Sequence, residues 1–238
     1  MADIRQYPHE GAVIEALANY LIADIQKTLG RQDFYRWALA GGSTPRRLYQ
    51  YLAQPSVAGL LDWSRIHLFW GDERCVPLNN PQSNYFMIKE SLLNYAPIPA
   101  GNLFPMEGAL DPERAATRYA TIVGEEPLDL ILLGMGDDGH TASLFLTTPR
   151  LREESRLVVA TRSPLPPVDR ISLSLRAINA ARQAIFLVLG ESKAGRLAQV
   201  IDQSWRQDAT LPAAMVNPES GALHWFVDHA AAAQLKTF

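Results

Sequence analysis

Short apolar runs recur along this chain at 36–40 (RWALA), Ile66–Trp70, 128–133, 157–160 and 185–189, and helical patterns separate most of them. Each run has the length of a strand, and unbroken hydrophobicity in place of alternation means that both faces are buried. Parallel neighbours need a long return connection, which the intervening helical patterns supply. The pattern therefore predicts an α/β chain with a mostly parallel, Rossmann-like sheet and helices on both faces.

The first helix is read from Val13, Leu17, Leu21 and Ile25, with Ile14, Ala18, Ile22 and Leu29 widening the stripe and Gly30 closing it. A second should open at Thr44-Pro45 and run to about Leu52, because threonine caps a helix and proline suits its first turn. Further helical patterns cover 83–94, 112–123, 176–182 and 191–203. The segment 171–175 (ISLSL) alternates and predicts a half-exposed strand. Proline-rich pieces at 97–105 and 163–167 are expected to be surface loops. With no internal repeat and no low-complexity linker, the expectation is one domain over 1–238.

Composition narrows the partners. Charged residues make up 20% and hydrophobic ones 47%, which fits an ordered globular protein. A net charge of −3 offers no general attraction to nucleic acid or an anionic membrane. An anionic substrate would need a local positive field. The one cysteine, Cys75, forbids an intrachain disulfide, fits a reducing compartment and is expected to be a small filler at a strand end. MADIRQYPHE lacks the order of a signal peptide, and no apolar run approaches the roughly 18 residues of a membrane span. A cytoplasmic location is expected.

Three segments carry chemistry at predicted strand ends, the edge where open α/β sheets bind ligands. Gly41-Gly42-Ser43-Thr44-Pro45 combines close backbone approach with a helix start, which suits a phosphate, and Ser43 and Thr44 add hydroxyl donors. It matches neither common nucleotide-binding glycine pattern, so ATP and NAD are not supported. Trp70-Gly71-Asp72-Glu73-Arg74 supplies Arg74, whose guanidinium matches phosphate oxygens. The segment LDLILLGMGDDGHTASLF (128–145) is a buried strand breaking at Gly134 and Gly136 into a turn with Asp137, Asp138 and His140, followed by Thr141-Ala142-Ser143 as a helix opening. Imidazole ordinarily exchanges a proton near neutral pH, and an adjacent carboxylate would fix its tautomer. Residues alone leave open whether Asp137 or Asp138 does so, whether the three bind a metal, or whether Ser43 or Ser143 is a nucleophile. Arg170 and Lys193 (in GESKAGRL) complete a set of cations with Arg74.

GGSTP, WGDER with SNYFMIKESLL, LLGMGDDGHTASLF, RISLSLRAINAA and GESKAGRL occur in this order over roughly 38–216, and together they resemble the 6-phosphogluconolactonase family. The related glucosamine-6-phosphate deaminases differ in the acidic segment, where this chain has the lactonase-like WGDER. The resemblance implies hydrolysis of 6-phospho-D-glucono-1,5-lactone with no metal and no organic cofactor. It implies His140 as the water-activating base and Asp138 as its carboxylate. It places Arg74, Arg170 and Lys193 around the phosphate, with Gly42, Ser43 and Thr44 beneath it and Asp72 in the substrate-binding set. The implied partner is a small sugar-phosphate lactone, with no nucleic acid or membrane, in a monomer or weak homo-oligomer. One departure is Leu146, where the family commonly has proline. Two rival expectations are a deaminase using Asp72 as base, and a non-catalytic sugar-phosphate sensor.

Overall fold

The structure, a computed structural model, describes residues 3–149, 151–152, 155–203 and 209–236. The ends of the expected 1–238 domain, residues 1–2 and 237–238, lie outside the described residues. In chain order the first half forms β1 (Asp3–Tyr7), α1 (Glu10–Leu29), β2 (Tyr35–Leu39), α2 (Ser43–Leu52), α3 (Pro55–Ala58), β3 (Ile66–Trp70), β4 (Asp72–Arg74), α4 (Asn84–Ile88), β5 (Leu103–Phe104) and α5 (Pro112–Val123). The second half forms β6 (Leu130–Leu133), β7 (Val158–Arg162), β8 (Asp169–Leu173), α6 (Leu175–Ala180), β9 (Gln183–Val188), α7 (Ala194–Gln203) and β10 (Ala222–Asp228).

Among the described residues, seven strands pair in the order β1-β10-β9-β6-β2-β3-β5, every pair parallel. The apolar runs explain the centre: every residue of β2 and β6 is buried, as a strand covered on both faces requires. α1 packs its Val13-Leu17-Leu21-Ile25 face, fully buried, near β10, β1 and β2. Each such side chain contributes about 1.5–3 kcal/mol by leaving water. The helix starts where His9 accepts a hydrogen bond from the Ala12 amide through Nδ1. Trp225 stacks on Phe186 at 3.9 Å between β10 and β9. No helix among the described residues is long and apolar enough to cross a membrane.

Strand order also locates the ligand edge. From β2 the chain moves outward to β3 and β5, then returns to the other side of β2 as β6 and proceeds to β9 and β10. The direction of winding reverses between β2 and β6, so their carboxyl ends border the crevice that such reversals leave. The segments emerging there are Gly41-Gly42 with the start of α2, and Gly134–His140.

Four expectations are corrected. β4, β8 and β7 form a separate antiparallel sheet, so the apolar run at 157–160 lies outside the parallel one that its pattern predicts. The segment ISLSL is buried, not half-exposed, because the Ser172 hydroxyl is satisfied inside the protein: it donates to the Leu173 carbonyl and accepts from the Ser143 amide. Helix α2 is capped by Gly42 at φ 108°, with no side-chain cap; Thr44 and Pro45 lie inside the first turn. The helix expected over 83–94 divides into α4 and a π-helical turn, Lys89–Leu93.

Candidate active site

At the end of β6 the chain folds back on itself instead of entering a helix. The Gly136 amide donates to the His140 carbonyl at 2.9 Å, and Thr141 Oγ1 donates to the Gly134 carbonyl at 2.9 Å. Thr141 therefore ties the turn down, and Ala142 takes a left-handed backbone at φ 48°, which bars the expected helix opening. Inside this turn Asp138 Oδ1 accepts from the His140 amide at 3.1 Å and lies 2.5 Å from His140 Nδ1. That contact places the ring proton on Nδ1 and leaves Nε2 as the basic nitrogen. Burial alone would raise the Asp138 carboxyl, but the hydrogen bonds and charge of His140 outweigh it and hold it below the ordinary carboxylate value.

Asp137 turns the other way. Its Oδ1 pairs with Lys193 Nζ at 2.5 Å, and its carbonyl accepts from Arg196 Nε at 2.8 Å. The two adjacent carboxylates thus serve different partners, and the three candidate metal donors do not converge. Among the described residues no group of three His, Cys, Asp or Glu side chains is arranged to hold a metal ion.

The second sheet delivers the arginines. In the β4–β8 register Arg74 stands opposite Arg170, and Asp72 opposite Ser172. Directly opposed residues of an antiparallel pair share a face, so two like charges are held together at a cost. Arg74 Nη1 donates to the Gln82 carbonyl. Arg170 is buried, and its Nε and Nη1 have no hydrogen-bond partner. Burial, and then the charge of Arg74, depress its guanidinium below the ordinary value. A buried cation with free donors beside a second cation is costly unless an anion completes it.

The side chains between these halves are satisfied internally. Ser143 Oγ donates to Asp72 Oδ2 at 2.6 Å, and Asn84 Nδ2 donates to the Asp72 carbonyl at 2.9 Å. Ser143 is therefore paired with a carboxylate and not with the imidazole. Asn84 also presses on the glycine loop: a Cβ at Gly41 would stand 2.0 Å from Asn84 Oδ1, so any larger residue there must push Asn84 off Asp72. Glu73, fully buried, accepts from the Arg74, Asn84 and Tyr85 amides and from Ser83 Oγ. Sequence reasoning missed Asn84 and Glu73 as organisers of this region. It missed Asp228 too, whose carboxylate accepts from the Gly190 amide at 3.0 Å and so anchors the turn that carries Lys193. The available signal for all three was a polar residue next to a strand or helix end.

Gly42, Ser43, Thr44, Asp72, Arg74, His140, Arg170 and Lys193 all line one cavity of about 450 Å³, and Asp138 stands behind it against His140. That volume suits a small molecule. Cys75 is half-buried beside the site, and burial pushes its thiol up to about 11, which disfavours a thiolate.

Residues 8–225 match the family described as glucosamine-6-phosphate isomerases/6-phosphogluconolactonase. The chain is 38% identical over 239 residues to the 6-phosphogluconolactonase of Nostoc sp., covering 96% of each. It is 37% identical over 242 residues to the human GDH/6PGL endoplasmic bifunctional protein, and the match spans 96% of this chain but 30% of that protein's length. Among solved structures, 6-phosphogluconolactonase from Thermotoga maritima superposes with a TM-score of 0.83 at 33% identity, covering 96% of this chain and 100% of that one.

Proposed function

Because the chain belongs to the glucosamine-6-phosphate isomerase/6-phosphogluconolactonase family, we propose that it hydrolyses 6-phospho-D-glucono-1,5-lactone to 6-phosphogluconate. The observation that carries this reading is the shared cavity, lined both by a cation whose Nε and Nη1 are unpaired and by a carboxylate-oriented imidazole. A phosphate dianion supplies the acceptors that Arg170 lacks, with Arg74 and Lys193 adding charge and the 42–44 backbone lying beneath.

With the phosphate held, the lactone carbonyl faces the 134–140 turn. A lactone is an activated ester, so water attacks it without a covalent enzyme intermediate. His140 Nε2 takes one proton from the water as its oxygen bonds to the carbonyl carbon. Asp138, still ionised, stabilises the imidazolium through Nδ1–H. The tetrahedral intermediate then collapses, the bond from carbon to ring oxygen breaks, and Nε2–H returns the proton to that oxygen. The products are a carboxylic acid, which ionises in water, and a free hydroxyl. These steps draw on side chains and one water. General-base assistance of this kind contributes about 10²–10⁴-fold, and anchoring through a remote phosphate contributes by orientation.

The test is a rapid coupled assay with freshly generated lactone. Asn at position 140 (His140→Asn) should lower kcat by about 10²-fold or more with KM within a few-fold. Near-native turnover in that variant removes His140 from the chemistry. Arg74→Ala should raise KM for the phosphorylated lactone and leave turnover of unphosphorylated gluconolactone unchanged; equal damage to both substrates rules out a phosphate role. Incubation with glucosamine 6-phosphate should release no ammonia, and release would favour the sister activity.

A further inference from the structure

Asp137 is the ionisable residue of the 134–140 turn that the mechanism above does not use. It is also the one that reaches across to a phosphate-clamp residue. Its carboxylate meets Lys193 Nζ at 2.5 Å, and the two ends differ sharply in environment: the Lys193 side chain is 23% exposed and that of Asp137 82%. Lys193 lines the cavity, whereas Asp137 does not. Its main chain is held independently of the ion pair, since its carbonyl accepts from Arg196 Nε at 2.8 Å, and the next-but-one residue accepts at its carbonyl from the Ala213 amide at 3.0 Å. The carboxylate can thus let go of Lys193 without the turn moving.

We propose that Asp137 is a resident counter-ion for Lys193, which substrate phosphate must displace, so that Asp137 sets the affinity for phosphorylated ligands and not the rate of the chemical step. The proposal rests on the reading of Lys193 as part of the phosphate clamp. One ammonium with three donors cannot give its full charge to a carboxylate and to an incoming dianion together. Arg170 differs in having no such substitute: its Nε and Nη1 are unpartnered and ready for an anion. The clamp therefore combines a permanently open cation with one that is masked until ligand arrives. An exposed carboxylate rehydrates fully on release, so the masking is weak and reversible. A pair of this exposure shifts affinity by about two- to five-fold.

The experiment measures KM for the phosphorylated lactone, the inhibition constant of inorganic phosphate, and kcat, for wild type, Asp137→Asn, Lys193→Ala and the double variant. Asp137→Asn is expected to lower KM and the phosphate inhibition constant together by about two- to five-fold, with kcat unchanged and unphosphorylated gluconolactone unaffected. In the Lys193→Ala background the same substitution should have no effect on either constant. Unchanged or raised constants in Asp137→Asn overturn the proposal, as does a gain that persists without Lys193. Lys193→Ala alone separates the two levels. If it raises KM for the phosphorylated substrate while Asp137→Asn does nothing, only the counter-ion role falls. If it leaves KM unchanged, Lys193 is no part of the clamp and both readings fall.

Discussion

A methyl group at residue 136 would stand 2.1 Å from His140 Nδ1 and 2.7 Å from Asp138 Oδ1. Those atoms are the ones whose contact fixes the imidazole, so Gly136 is glycine because the pair needs its space. Gly136→Ala is expected to push the ring off Asp138, lowering kcat by about 10²-fold while KM stays within a few-fold. A near-native kcat in that variant means that the ring position does not limit turnover. The make-up of this turn was legible in the sequence: two glycines, two carboxylates and an imidazole after a buried strand. Which carboxylate faces the imidazole was not legible from spacing, because adjacent residues in a tight turn point in directions set by the local backbone. The structure sends Asp138 to His140 and Asp137 to Lys193.

Elements explain why a three-residue strand full of charge holds its place. Nothing in the sequence marks β4 as a strand, since DER has neither the length nor the apolarity of one. It pairs because β8 supplies the partner from nearly a hundred residues away and because Glu73, on the opposite face from Arg74, is neutralised by donors. Burial raises the Glu73 carboxyl above its ordinary value, and the Tyr85, Asn84 and Arg74 amides and Ser83 Oγ oppose that rise without cancelling it. The carboxylate joins β4 to the first turn of α4, and through Asn84 to Gly41. An amide offers one accepting oxygen where the carboxylate offers two. Glu73→Gln should therefore destabilise the fold by about 1–3 kcal/mol, measured by urea unfolding, and raise KM more than it lowers kcat by loosening Arg74. Wild-type stability with an altered KM would assign Glu73 to ligand binding instead of to this joint. Alternation misled the reading of β8 for a related reason, since a serine whose hydroxyl is satisfied internally looks the same in sequence as one facing water.

Across the whole molecule the two edges of the parallel sheet treat charge in opposite ways. At the amino edge, Arg36 gives its guanidinium to the carbonyls of Val123 and Glu126, while Asp129 accepts from the Arg36 amide and pairs with Arg182 at 2.9 Å. Those charges are consumed in tying β2 to the α5–β6 connection and to β9. At the carboxyl edge Arg170 keeps free donors, Arg74 lies opposite it, and Lys193 leans on an exposed carboxylate. The parallel architecture and this edge were foreseeable from the apolar runs, but the second sheet was not, because its pairing depends on contacts remote in sequence. With a net charge of −3, the whole chain does not attract an anion, so the proposed phosphate binding rests on the local cluster. Salt shortens the reach of that cluster from about 10 Å at 0.1 M to about 3 Å at 1 M. Raising sodium chloride from about 0.05 to about 0.5 M should therefore raise KM for the phosphorylated lactone by roughly three-fold or more, with kcat nearly constant. Chloride is chosen because sulfate or phosphate would compete for the site directly. Unphosphorylated gluconolactone, which offers the cluster no charge, should show a flat response over the same range. Equal salt dependence for both lactones would mean that the local field does not act through the phosphate, and the division of the cavity into an anion-holding wall and a water-activating wall would have to be abandoned.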